Sequence, residues 1–309
     1  MAEEYKTGTL KEIAIGLAEK QDHMVNTLTE EAPIADMLKF EGATHGMWNA
    51  YEEITKIDNV KEVDMDSPLP KLGADSVLKK TDLQIIGGLM EAGEDKLQVI
   101  GKEAYFAKRL PLHLKAAGQM MERNIIYKNI REYAIDKGKA VDAGGTGDNG
   151  YSIIAYREIE GENIGLYNPK GFGSGTGKLL DVKAVNGGNL YKDERGVLVY
   201  GMRLKGYIGY QLANPNGVAA IVNITKANLD NLTAEMIDDI ILSARVDQSS
   251  RGFLMMHPKM LSLLNKFKDS KLMTTVNDTN YNRTFTMWNG VKILTSYNFD
   301  NGTEKHITL

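Results

Sequence analysis

The sequence predicts an α+β fold organised around one long helix. Three observations carry the prediction. A single helical segment opens near Pro111 and closes at Lys137-Gly138. A strand with period-two alternation runs from Val197 to Leu212. Two further segments, an N-terminal arm and a polar-tipped hairpin, carry too few apolar residues to build a core of their own.

The helix comes first because the rest depends on it. Pro111 suits a first helical turn, where a missing N–H costs nothing. Gly138 just after Lys137 is a C-terminal stop. From Leu110 to Lys137 such a helix is ~42 Å long at ~1.5 Å per residue. Leu110, Leu114, Ala117, Met121 and Ile125 form one apolar face. Ala116, Met120, Tyr127, Ile130 and Ala134 form a second. Lys115, Glu122, Asn129 and Asp136 recur between them as a polar strip. Two apolar faces predict a spine that is contacted from two sides.

The other elements follow in chain order. Residues 1–45 read as an arm. Thr9-Leu-Lys-Glu12 is a capping box, and Ile13, Leu17 and Val25 give a weak amphipathic helix. Ala32–Phe40 adds a short apolar anchor. Residues 46–88 read as two strands, Trp48–Asp58 and Val77–Ile86, joined by a polar stretch holding Pro68, Pro70 and Gly73. A hairpin of that kind is marginal alone and should rest on another chain. Val141–Asn149 is a Gly-rich break, and Lys170–Lys178 a mobile Gly-rich loop. In the long strand, Leu198, Tyr200, Met202, Leu204, Ile208, Tyr210 and Leu212 share one face, with a kink expected at Gly206 or Gly209. Thr233 caps a helix striped by Ile237, Ile240, Ile241 and Ala244. Gly252–His257 is a buried strand, and Pro258 opens a helix through Lys268. The polar stretch Lys268–Arg283 has no apolar periodicity and reads as a loop. Phe285–Trp288 turns at Asn289-Gly290 into Val291–Tyr297, a type I′ hairpin.

Composition narrows the function. The chain has 309 residues, net charge −4 and no cysteine, which excludes disulfides, thiolate metal sites and a cysteine nucleophile. No basic n-region with an apolar h-region opens it, and no apolar run approaches ~18 residues, so the expectation is a cytosolic origin with no membrane span. Nothing marks a basic face, which disfavours tight nucleic-acid binding.

The catalytic patterns fail in turn. Gly145–Gly150 spells G-x-G-x-x-G but follows a helix and precedes a strand, the reverse of a dinucleotide site. Gly177-Lys178 continues with Leu179, which breaks a phosphate loop. His23, His45, His113, His257 and His306 share no metal-ligand spacing, and His257 reads as structural. Asn277–Asn282 lacks the Gly and terminal Glu of a calcium loop. Glu30-Glu31 and Asp238-Asp239 read as solvated helix faces. The sequence offers no catalytic residue, cofactor or metal ligand, and predicts a protein that is not an enzyme.

The order of elements, with IIGGLMEAGEDKL (Ile85–Leu97), AGQMMERNIIYKN in the spine, ENIGLYNPKGFGSGTGKLLDV, VYGMRLKGYIGYQLANPNGVAAIVNI, RGFLMMHPKMLSLLNKFKDSK and FTMWNGVKILTSYNF, resembles the major capsid protein of tailed bacteriophages, with the HK97-type fold. The resemblance covers nearly the whole chain and rests on the ordered set rather than on one motif. It implies an arm (1–45), an extended hairpin (46–88), a peripheral domain (89–150 with the spine at about 110–137, and 151–225), an axial domain (226–283) and terminal peripheral strands (284–309). It implies self-assembly into hexamers and pentamers of an icosahedral head enclosing double-stranded DNA. A separate scaffolding protein, a portal and a decoration protein are the implied partners, and a virion made in the host cytoplasm the implied location. Candidate assembly residues are Lys61, Asp64, Asp66 and Lys71 at the hairpin tip, and Asn277, Asp278, Asn280 and Arg283 in the polar stretch. The family's Lys–Asn crosslink is not expected, since nothing places an Asn and a carboxylate beside Lys61 or Lys71. An encapsulin-like nanocompartment shell and an α+β enzyme are the alternatives.

Overall fold

The computed structural model describes residues 32–65, 67–170, 179–247, 251–267, 272–278 and 283–309. The chain runs α1 (Pro33–Met37), β1 (Phe40–Gly42), β2 (Trp48–Ile57), β3 (Ala74–Asp82), β4 (Gln84–Gly93), α2 (Glu94–Ile100) and α3 (Lys102–Asn124). A π-helical segment (Ile125–Arg131) leads to α4 (Glu132–Asp136). Next come β5 (Ala140–Asp142), β6 (Tyr151–Arg157), β7 (Asn163–Tyr167), β8 (Asp181–Ala184), β9 (Tyr191–Lys192), β10 (Leu198–Leu212) and β11 (Val218–Ile224). The chain closes with α5 (Ala234–Ser243), β12 (Gly252–Met256), α6 (Pro258–Leu263), β13 (Leu272–Asp278), β14 (Arg283–Trp288) and β15 (Val291–Thr295).

Two sheets carry the body. β10 is the axis of a six-stranded sheet, pairing with β4, β7, β8 and β9, while β1 adds to β7 in parallel. The second sheet has seven strands in the order β13-β14-β15-β12-β6-β11-β5. It draws strands from chain segments on both sides of residues 225 and 283. β2 and β3 form a separate two-stranded sheet.

The spine is longer than the sequence predicts, and this is a correction. It begins at Lys102, so Pro111 lies inside the helix rather than in its first turn. A proline there removes one i→i−4 bond, at a cost of about 3 kcal/mol. The extra turns bury Tyr105, Phe106 and Leu110 against β8 and β10, which offsets that cost. The far end is as expected: the Lys139 N–H reaches the Ala134 carbonyl at 2.8 Å, the six-to-one bond that closes a helix before an αL residue.

The two faces also differ from expectation. Leu110, Leu114, Met121 and Ile125 are buried. Of the second face, Tyr127, Ile130 and Ala134 are buried, but Ala116 and Met120 are exposed. The π-helical segment is the reason. Its i→i+5 bonding widens the turn and re-aims the side chains beyond it. The spine therefore packs sequentially. Its first half covers the six-stranded sheet through Phe106, Leu110 and Leu114, and its second half covers the seven-stranded sheet through Ile125, Ile126 and Ile130. Glu122, expected in the polar strip, is fully buried.

The seven-stranded sheet is covered on both faces. Ile154, Tyr156, Ala220 and Met255 face the spine, while Ile153, Ala155, Ile221 and Leu254 face α5 and α6. Central strands buried on both sides read as continuous apolar runs, as β12 does. Thr233 caps α5 by accepting the Met236 N–H at 3.2 Å, and Ile237, Ile240, Ile241 and Ala244 are buried as predicted.

Three strand expectations need correction. Val77–Ile86 is not one strand: it breaks at Leu83, leaving β3 in the hairpin and β4 beside β10. The ladder of β10 runs through Gly206 and Gly209 without interruption. Gly206 instead admits the crossing chain, since a Cβ there would overlap the Leu179 carbonyl oxygen. The stretch Lys268–Arg283 is not all loop, because β13 and the start of β14 pair within it. Its apolar pattern is interrupted by the adjacent Thr274-Thr275 and by Asn277-Asp278, so no period-two signal shows. The closing turn is as expected, with Asn289 at φ 47° and Gly290 at φ 85° between β14 and β15.

Candidate assembly surfaces

The hairpin β2–β3 is the most exposed regular element. Its ladder runs from Trp48↔Asp82 to Ile57↔Ala74, with an irregularity between Ile54 and Lys56. Ten residues at ~3.4 Å give a reach of ~34 Å. Ile54, Ile57, Val77 and Leu78 are exposed along it, and Val60 and Leu69 stand more than 80% exposed at its tip. Ion pairs on the ladder, such as Lys79 with Glu53, are solvent-facing and contribute little. The tip is closed by the Asp58 N–H to the Gly73 carbonyl at 3.0 Å, and by the Gly73 N–H to Asp58 Oδ2 at 3.0 Å.

The base of the hairpin is pinned to the body. His45 stacks on Trp48 with ring centres 3.8 Å apart. Asn49 Nδ2 donates to Gln211 Oε1 at 2.7 Å, and Gln211 Nε2 donates to the Gly161 carbonyl at 2.7 Å. Gln211, a polar residue of β10, is fully buried and joins hairpin to sheet.

The arm enters through a second pin. Ala32, Ile34, Met37 and Leu38 are buried, as the anchor predicted. Glu122 Oε2 accepts the Ile34 and Ala35 N–H groups, each at 3.0 Å, while Oε1 accepts Asn298 Nδ2 at 3.0 Å and the Ser296 hydroxyl. One buried carboxylate thus ties the start of α1, the spine and the strand β15 exit together. Burial pushes its pKa up, and the hydrogen bonds pull it partly back.

The C-terminal tail forms a third pin. Glu304 accepts from Tyr127 Oη at 2.8 Å, from Arg131 at 3.1 Å and from the Ser152 hydroxyl, and burial raises its pKa too. Arg123 holds Asp300 bidentately at 2.7 and 2.9 Å. The Gly145–Gly150 loop lies against this tail: the His306 N–H reaches Asp148 at 3.1 Å and Gly150 pairs with Glu304. That contact gives the G-x-G-x-x-G letters a structural use. His257 is structural as well: its Nδ1 accepts the Lys259 N–H at 3.0 Å to start α6, and burial lowers its pKa.

The candidate assembly residues fall on two hairpins. Lys61, Asp64 and Lys71 are exposed on the tip of β2–β3; Asp66 lies outside the described residues. Asn277 and Asp278 end β13 and Arg283 starts β14, with Asp278 opposite Arg283 in register. Asn280 lies outside the described residues, as do the capping box of the arm and most of the loop Lys170–Lys178. Among the described residues no group of three His, Asp or Glu could hold a metal, and no helix is long and apolar enough to cross a membrane. Sequence reasoning missed Glu122, Glu304 and Gln211. Each looks like an ordinary surface residue in its own element, and only long-range packing buries it.

No family model and no curated protein matches the sequence. Solved structures do. A chain of bacteriophage Epsilon15 matches with a TM-score of 0.55 at 11% identity, over 86% of this chain and 88% of that one. A chain of the capsid of bacteriophage JBD30, decorated with minor capsid protein trimers, matches with a TM-score of 0.51 at 10% identity, over 85% of this chain and 89% of that one. The chain has the HK97-type capsid fold. At these identities the likeness lies in the path of the backbone. The HK97-type fold is thus what the ordered elements of the sequence implied. It is carried here by side-chain pins that belong to this chain.

Proposed function

We propose that this chain is the major capsid protein of a tailed phage, forming hexamers and pentamers of an icosahedral head around double-stranded DNA. The observation that carries the reading is the hairpin β2–β3. It extends from the body with Ile54, Ile57 and Leu78 exposed and, among the described residues, no layer of its own chain over them. Two strands alone are marginal in water. A neighbouring subunit that covers them supplies the missing layer, and obligate contacts of this kind commonly exceed ~2,000 Å². A net charge of −4 suits a wall that encloses DNA without holding it.

In this reading residues 89–225 and 284–309 form the peripheral domain and 226–283 the axial domain. The β13–β14 tip meets its symmetry mates at the capsomer axis, and the tip residues Lys61, Asp64, Asp66 and Lys71 touch a neighbour. A separate scaffolding protein, a portal and a decoration protein act with it, and the protein moves from host cytoplasm to virion. The chain catalyses nothing, and its subunits are not crosslinked through Lys61 or Lys71.

The test is to express the chain with and without residues 60–73. Electron microscopy of the intact chain with its scaffold should find closed shells, and the deletion should give folded, soluble protein without shells. Normal shells from the deletion, or a small fixed oligomer from the intact chain, overturn the reading. Particles filled with protein instead of DNA during phage infection would point to a nanocompartment.

A further inference from the structure

β4 is an edge. It pairs with β10 along its whole length, from Gln84↔Ile208 to Gly93↔Val199, and β7, β8 and β9 lie on the far side of β10. Among the described residues no strand pairs with the other side of β4. Such an edge presents a row of backbone N–H and C=O groups that templates a further strand, and proteins usually blunt it with Pro, Lys or a bulge. QIIGGLMEAG uses none of these: it has no Pro and no Lys, its ladder has no bulge, and its one charge is Glu91. Ile85 and Leu89 stand 57% and 56% exposed on it.

The helix layer ends at the same edge. An apolar groove of about 230 Å³ separates β4 from the spine, with Gly88, Leu89 and Met90 on one wall and His113, Ala116 and Met120 on the other. A Cβ on Gly88 would meet nothing within 4 Å, so the strand leaves the space open. Leu112, Ala116 and Met120 recur at four-residue steps on one face of the spine, and Leu112 and Met120 are 63% and 54% exposed. Backbone and apolar side chains are thus uncovered together, in two stacked layers. A lone extended peptide would complete only the strand layer. A second copy completes both, because it brings a strand of the same length and a helix at the same height. We propose that two copies join edge to edge here, β4 beside β4 and spine beside spine, about a two-fold axis at Gly88-Leu89.

Symmetry, charge and size agree with that occupant. A two-fold axis through the sheet makes the paired strands antiparallel, and the fullest overlap puts the axis at the middle of β4. Glu91 then lies opposite Ile85 or Gly87 of the second copy and never opposite another Glu91, so the strands oppose no like charges. On the spine, Arg109 and His113 flank the stripe, and Arg123 is already held by Asp300. The strand layer measures ~34 Å by ~10 Å. The helix layer from Arg109 to Met120 adds ~17 Å by ~10 Å. Both copies together bury about 1,000 Å², the lower limit for a specific contact, so the dimer is weak and reversible. A pairwise contact goes beyond the rings of five and six: shells can form without it, and it can form without shells.

The chain has no cysteine, so a single introduced thiol can link only to another copy. In the full chain, with diamide as the oxidant, Leu89→Cys lies opposite or diagonal to its own mate and should give a disulfide-linked dimer. Ile85→Cys, equally exposed on the same strand, lies ~20 Å or more from its mate and should link at least tenfold more slowly. Sedimentation of the parent should show a monomer–dimer equilibrium, which Leu89→Lys with Met120→Asp shifts at least tenfold toward monomer. Circular dichroism confirms that each variant is folded, since all these positions are exposed. Equal linking at residues 85 and 89, no linking at either, or an unchanged equilibrium in the double variant overturns the inference. Closed shells without the Leu89→Cys link would remove this contact and leave the proposed function standing.

Discussion

Replacing Glu122 with leucine tests how the arm is held. The carboxylate receives two backbone N–H groups at 3.0 Å, Asn298 Nδ2 at 3.0 Å and the Ser296 hydroxyl. Leucine accepts none of them. Ile34 is fully buried and Ala35 6% exposed, so water cannot replace the lost acceptor for their N–H groups. An unsatisfied buried donor costs about 1–3 kcal/mol. Two backbone donors, with Ser296 and Asn298 partly re-pairing, give a loss of about 3–5 kcal/mol. At roughly 2 °C or more per kcal/mol for a chain of this size, Tm should fall by about 6–10 °C. Glutamine is the control. Its oxygen can serve the two N–H groups while its amide donates to a rotated Ser296 hydroxyl and a flipped Asn298, so the loss should stay near ~1 kcal/mol. Thermal melts by circular dichroism, with proteolysis at the arm as a second readout, decide the matter. A leucine variant that melts within 2 °C of the parent (roughly 1 kcal/mol) refutes the pin.

Other outcomes follow from the same geometry. Ile130→Asp buries an unpaired charge in the spine and should abolish cooperative melting, whereas Met120→Asp, at an exposed position, should leave Tm within a few degrees; the reverse order would show the spine faces to be misassigned. The Glu122 carboxyl has its folded-state pKa raised by burial, so its contribution is fully present below the ordinary carboxylate pKa and is lost as pH rises through the raised value. Acidification from pH 7 to pH 5 should therefore stabilise the parent relative to Glu122→Gln, and a shift of opposite sign contradicts the assignment. Asn277→Asp with Asn280→Asp should reduce capsomer yield by native mass spectrometry while Tm hardly moves; capsomers unchanged at low salt, where screening is weakest, would place this tip away from the axis.

Local chemistry made much of the fold legible. The cap at Thr233, the helix start at Pro258, the Asn289-Gly290 turn and most of the alternation of β10, though not the exposed Leu198, are short-range signals that the structure reproduces. What stayed hidden depends on distant partners. Pro111 is a helix starter by local rules, and only the burial of Tyr105 and Phe106 keeps the helix going through it. Leu83 gives no local sign that the strand before it will leave the sheet. The π-helical segment decides which spine face is covered, and the sequence around Ile125 reads as ordinary helix. The same limit governs the surfaces: an exposed hairpin could be inferred from its missing core, but the pins at Glu122, Gln211 and Glu304 required the fold itself.

The seven-stranded sheet constrains when this protein can fold. β15 sits between β14 and β12, and pairs with β12 in parallel, so the sheet cannot close until residue 295 has left the ribosome. The six-stranded sheet needs nothing beyond β10 and can close once residue 212 is out. Between those two moments β6, β11 and β12 can pair with one another, but the outer edge of β12 still lacks β15, with some of the most apolar text in the chain incompletely covered. Long-range and parallel pairings form slowly, and open strand edges aggregate. The nascent chain is thus most vulnerable during its last third, and a chaperone that shields residues 218–256 in that interval would raise yield more than one acting on the finished chain.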